Sequence, residues 1–159
     1  MSGMTAFTIV HVVSRLMGIL SGLVVVAGLL GARRLDGWTL LFLVTTIATS
    51  VTGFGFPFDH LLPSHVVGVI SLVVLVIAIL ARYVRHLTGA WRSTYVIGAV
   101  VALYLNVFVL IVQAFRRVPA LAAMAPTQSE PPFLVTQLVV MALFVVSAIA
   151  AVRGFRDQV

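Results

Sequence analysis

The stretch 7–30, FTIVHVVSRLMGILSGLVVVAGLL, decides the fold. Its only charge is Arg15, and no proline interrupts it. At about 1.5 Å of rise per residue, a helix of this length crosses the ~30 Å hydrocarbon core of a bilayer. Residues 38–54, 62–81, 94–115 and 133–152 read the same way. The chain is 62% apolar and 9% charged, with a mean hydropathy of +1.20. A soluble domain of 159 residues needs far more polar surface. The expectation is an all-α integral membrane protein: one domain over 1–159, folded as a bundle of five transmembrane helices.

The charge pattern fits that reading. All ten basic residues are arginine, the acidic residues number four, and the net charge is +6. Most arginines stand beside expected helix ends, where they face anionic head groups, so nothing points to nucleic acid. Cysteine is absent, which removes disulfides and thiolate chemistry. The first span is expected to be retained rather than cleaved. It lacks a basic leader region and an A-x-A-type site, and it carries His11 and Arg15.

Five crossings place alternate connections on the same side. One side then holds Arg33, Arg34, Arg82, Arg85, Arg92, Arg153 and Arg156; the other holds Arg116 and Arg117. The positive-inside rule puts the N-terminus outside and the C-terminus in the cytoplasm, as in a multi-pass protein of the bacterial inner membrane.

Polar residues gather towards the outer half. Thr8, His11, Arg15, Gly18 and Gly22 follow steps of three and four, and so share one face of the first helix. Tyr95, Gly98, Ala102, Asn106, Val109 and Gln113 form a second stripe. His65 aligns with Gly68 and Leu72, and Gln137 with Met141. Such stripes are expected to face the bundle interior, because lipid offers no hydrogen bonds. The threonines of 38–54 are expected to bond carbonyls of their own helix. Glycine stripes suit close packing within one chain or between copies.

The candidate ligand-binding set is His11, Arg15, His65, Gln113 and Gln137. Arg15 is the costliest, since a cation at mid-span costs roughly 2.5–3.5 kcal/mol on insertion scales. Pairing with Asp59 or Glu130 would relieve it. The proline-rich loop 118–132 is a candidate cap, with Glu130 facing Arg15, Arg116 or Arg117 and with one interfacial turn over 120–125. His11 and His65 at matched depth would suit a bis-imidazole haem b site. His60, His65 and Asp59 would suit a metal. The plainer readings are an interhelical hydrogen bond for His11, a loop contact for His65, and an assembly role for Arg15.

The runs Asp36-Gly37-Trp38-Thr39, Phe54-Gly55-Phe56-Pro57-Phe58-Asp59-His60 and Ala125-Pro126-Thr127-Gln128-Ser129-Glu130-Pro131-Pro132-Phe133 carry a resemblance. Together they resemble small uncharacterised bacterial multi-span inner-membrane proteins. The resemblance implies a compact membrane bundle and brings no reaction or catalytic residues. These segments lack the histidine patterns of well-known cytochrome b families, which counts against haem.

The leading expectation is a membrane-embedded binding protein or complex subunit with an outer-leaflet pocket. Arginine, imidazole and amide groups suit a quinone-like or anionic ligand. Alternatives are a bis-histidine haem b electron-transfer protein and a small transporter or channel component. The expected partners are the lipid bilayer and either further copies or a larger membrane complex. No segment supplies a nucleophile, base and orienter set for hydrolysis.

Overall fold

The computed structural model describes residues 3–31, 33, 35–55, 63–127 and 129–155. These are helical apart from short connections. The elements are α1 (Gly3–Leu30), α2 (Asp36–Gly53), α3 (Pro63–Ile79), α4 (Ala90–Arg117), α5 (Pro119–Met124) and α6 (Pro131–Phe155). A π-helical turn, Leu80–Val84, extends α3. Asp59, His60, Arg34 and Arg156 lie outside the described residues.

Local chemistry explains the boundaries. Asp36 opens α2, where a negative charge complements the helix dipole. Pro119 opens α5 and Pro131-Pro132 opens α6; proline suits a first turn, whose N–H groups have no helical partner. The Glu130 carbonyl accepts the first α6 bonds, from the N–H groups of Phe133 (3.1 Å) and Leu134 (3.2 Å). Helix α5 supplies a helical turn where one was expected, over 120–125.

Four helices are long and apolar enough to cross a membrane: Ala6–Leu30, His65–Val84, Ala90–Arg117 and Pro131–Phe155. Their outward faces carry large apolar side chains. On α6, Leu138, Leu143 and Val146 stand exposed, Val146 by 65%. A water-soluble bundle buries such residues, and this inverted pattern marks a membrane protein.

Helices α1, α2, α3 and α4 close a ring, each packed on the next, with α4 returning to α1. Helix α6 lies against both α1 and α4. The small residues on the facing stripes allow this. A Cβ added to Gly22 would lie 2.7 Å from Leu103 Cδ1 and 2.9 Å from Phe42, so α1, α2 and α4 meet there without space for a methyl group. The stripes expected on α1 and α4 do turn inward: Gly18, Gly22, Tyr95, Gly98, Ala102, Asn106 and Val109 are buried.

Helix α6 departs from expectation. Gln137 is buried but Met141 is exposed. The inward face advances by three residues from Gln137 to the half-buried Val140, then through Phe144, Ala148, Ala151 and Phe155. That step carries Met141 away from the interior.

Contacts between helix ends give the direction of each helix. Gly154 of α6 abuts the Leu30 carbonyl of α1. Arg82, past the end of α3, bonds Asp36 at the start of α2. Its guanidinium lies 5.1 Å from the ring of Tyr95, near the start of α4, and Tyr95 packs on Phe155 of α6 at 6.3 Å. At the opposite end, His11 bonds Thr52, Phe54 packs on His65, and Phe115 packs on Phe133. Successive long helices therefore alternate in direction, and α6 runs parallel to its neighbour α1. The described residues Arg33, Arg82, Arg85, Arg92 and Arg153 sit at one end, and Arg116 and Arg117 at the other.

Candidate functional site

The polar site is built from α1, α2 and α4. His11 and Arg15 are one turn apart on α1 and face the same way. The Arg15 Nη1 group donates to the Asn106 side-chain oxygen Oδ1 (3.0 Å) and to the Asn106 backbone carbonyl (3.2 Å) on α4. Its Nη2 group faces His11 Nε2 at 3.4 Å. His11 Nδ1 lies 2.7 Å from the Thr52 hydroxyl, which itself donates to the Ala48 carbonyl at 2.6 Å.

These bonds assign the protons. The Thr52 hydrogen is committed to Ala48, so Thr52 accepts from His11 Nδ1–H. That leaves the lone pair of His11 Nε2 for Arg15. The result is a directed chain from Arg15 through His11 and Thr52 to the α2 backbone. Both His11 nitrogens are engaged. Among the described residues, the hydrogen-bond partners of Arg15 are neutral.

Thr45 and Thr49 bond their own helix as expected, whereas the Thr46 hydroxyl is buried without a hydrogen-bond partner among the described residues. Thr45 donates to Leu41 O at 2.7 Å and Thr49 to Thr45 O at 2.8 Å. Thr52 combines this habit with an interhelical role, and so ties α2 to His11.

The remaining candidates stand at the same end of the bundle with separate partners. His65 is buried and packs on the Phe54 ring, with centroids 5.4 Å apart. Gln137 donates from Nε2 to the Phe108 carbonyl at 3.4 Å, and its Oε1 is buried without a hydrogen-bond partner among the described residues. Gln113 Oε1 accepts from Arg117 Nε at 2.9 Å. Arg116 lines an open recess with Phe115, Ala122, Pro126 and Thr127. The Glu130 carboxylate accepts from the Thr127 hydroxyl and from the Thr127 backbone N–H (3.0 Å). These bonds hold its pKa below the ordinary carboxylate range, the hydroxyl contributing most. Asp59 and its suggested pairing with Arg15 lie outside the described residues.

A bis-histidine haem reading needs His11 and His65 to face one space. Helix α3 packs on α2 and α4, His11 is turned to Thr52 and Arg15, and His65 is turned to Phe54. Iron ligation by His11 would have to displace its bond to Thr52 or its bond to Arg15. Among the described residues, no group of three or more His, Asp or Glu side chains could hold a metal ion.

Sequence reasoning missed a second buried polar cluster at the other end. Along the chain Arg82 is one of several boundary arginines, yet it is buried against Asp36, Tyr83 and Tyr95. The Tyr95 hydroxyl lies against Thr39 and Arg82. The signal in the sequence was the rarity of acidic residues: Asp36 lies on the arginine-rich side and needs a partner there.

No protein-family model, curated protein or solved structure matches the chain.

Proposed function

We propose that this is a small membrane-embedded binding protein or complex subunit whose outer-leaflet pocket takes an anionic or quinone-like ligand at Arg15 and His11. One observation carries the reading: the Arg15 guanidinium sits within a membrane-spanning helix, and its hydrogen-bond partners among the described residues are the neutral groups of Asn106 and His11. A cation so placed has strong donor capacity for a carboxylate or carbonyl oxygen, in surroundings of low dielectric. Apolar walls from α1, α2 and α4 would bury the remainder of such a ligand. His65, Gln113 and Gln137 stand at the same end and form the outer margin in this reading.

The proposal includes five crossings, with the N-terminus outside and the C-terminus in the cytoplasm of a bacterial inner membrane. Helix α2 is the fifth span. Its 18 residues reach about 27 Å, and several of its hydroxyls bond their own helix, so it is less polar than its composition suggests. The concentration of arginine at one end supports the orientation. The chain has no cysteine, so single-cysteine labelling is a clean test. Gly37→Cys should label only from the cytoplasm and Gly55→Cys only from outside; labelling from one side at both positions rejects the α2 crossing.

Binding is tested by calorimetric titration of the protein in nanodiscs with a short-chain quinone and with a fatty-acid anion. Arg15→Gln should weaken binding about 10–100-fold, the equivalent of losing one charge-assisted hydrogen bond. Wild-type protein that binds neither probe, or a variant that binds as well as wild type, rejects the reading.

A further inference from the structure

One turn inward from Arg15, three polar atoms converge on a residue that has no side chain. A Cβ at Gly18 would lie 3.1 Å from Thr46 Oγ1, 3.2 Å from Asn106 Nδ2 and 3.3 Å from Thr45 Oγ1. Thr46 and Asn106 are each more than nine-tenths buried, and neither of these two atoms has a hydrogen-bond partner among the described residues. Buried polar atoms are seldom left unpaired, and two meeting at one point call for a shared partner.

Hydrogen-bond polarity identifies that partner. Arg15 donates to Asn106 Oδ1 and to the Asn106 carbonyl, which fixes the amide so that Nδ2, a donor, is turned towards Gly18. Thr45 has committed its proton to Leu41 O, so it offers only a lone pair. Thr46 can donate or accept. The place therefore requires a group that accepts from Asn106, donates to Thr45 and does either with Thr46. A metal cation cannot accept from the amide N–H, and it would face the Arg15 charge. An anion cannot donate to Thr45. A water molecule does both.

We propose that a single internal water is bound at Gly18, bridging Asn106 of α4 to Thr45 and Thr46 of α2. Its place deep within the α1–α2–α4 junction makes it part of the fold. Through Asn106 it belongs to the group that holds Arg15, and it extends the polar chain of His11 and Thr52 towards mid-membrane. The site stands on these three helices whether or not Arg15 meets a ligand.

The test is solid-state NMR of the full chain in lipid bilayers, with asparagine side chains labelled. The Asn106 side-chain amide should show a cross-peak to slowly exchanging water. Thr46→Val should abolish it and lower the unfolding temperature, because the water loses a partner; Thr46→Ser should retain both. An Asn106 amide in direct contact with Thr46 and without a water cross-peak overturns the proposal. So does a Thr46→Val variant more stable than wild type, the result expected when an unpaired hydroxyl is simply removed. Quinone or fatty-acid titration of the same variants is a separate readout: the water cross-peak can persist where no ligand binds.

Discussion

Arg82 and Asp36 form an ion pair of unequal exposure: the arginine side chain is 1% exposed and the aspartate 76%. The cation lies among the rings of Tyr83 and Tyr95, and the carboxylate reaches it from the surface. The pair joins the start of α2 to the turn beyond α3, forty-six positions apart.

Removing one partner should be costly in an asymmetric way. Asp36→Asn keeps size and loses charge, and should destabilise by about 1–2 kcal/mol, discounted for the exposed carboxylate. Arg82→Ala also removes the packing against Tyr95 and should cost more, about 2–4 kcal/mol. Thermal unfolding in one detergent checks the order; Asp36→Asn as damaging as Arg82→Ala contradicts it.

Two neighbouring threonines of α2 should respond differently to valine. Thr49 bonds only the Thr45 carbonyl of its own helix among the bonds described above, and Thr49→Val should be within about 0.5 kcal/mol of wild type. Thr52→Val removes the acceptor for His11 Nδ1 and should cost about 1 kcal/mol. A His11 ring signal that moves in the second variant and not in the first, followed by NMR, links the difference to this bond.

Glycine-to-alanine changes separate close packing from open surface. At Gly154 the new Cβ would meet the Leu30 carbonyl at 2.8 Å, so α6 must retreat from α1, at a cost of about 1–3 kcal/mol. At Gly37 nothing lies within 4 Å, and alanine should stabilise α2 by about 0.4–1 kcal/mol. Equal unfolding temperatures for the two variants would contradict the α1–α6 contact.

The turn before α6 should depend on pH. The Glu130 carboxyl has its pKa lowered by the Thr127 hydroxyl and backbone N–H. A lowered pKa means the ionised form is favoured by the fold. Its contribution is present above the ordinary carboxylate pKa of about 4.3 and is lost as pH falls through the depressed value. Titration of the Glu130 side-chain carbon should show this, and Thr127→Val should move the midpoint upward. An unchanged midpoint would remove Thr127 as the cause.

What the sequence could disclose was local. The three-and-four spacing of Gly18, Gly22, Gly98 and Ala102 gives the inward faces of α1 and α4, and a threonine can satisfy itself whatever its neighbours. What it could not disclose was pairing at long range. Asn106 is ninety-one positions from Arg15, and only the meeting of α1 with α4 makes it the partner. Arg82 and Arg85 look alike along the chain. The π-helical turn separates them: Arg82 is buried, whereas Arg85 stays exposed and its guanidinium lies 5.2 Å from the ring of Trp91. Spacing alone misplaces Met141 on α6, because a uniform step of four ignores where α1 and α4 lie.

The Arg82 clasp also bears on biogenesis. Its carboxylate belongs to α2, one ring of its platform to the turn beyond α3 and the other to α4, so a chain that has not yet docked α4 carries a cation with part of its surroundings missing.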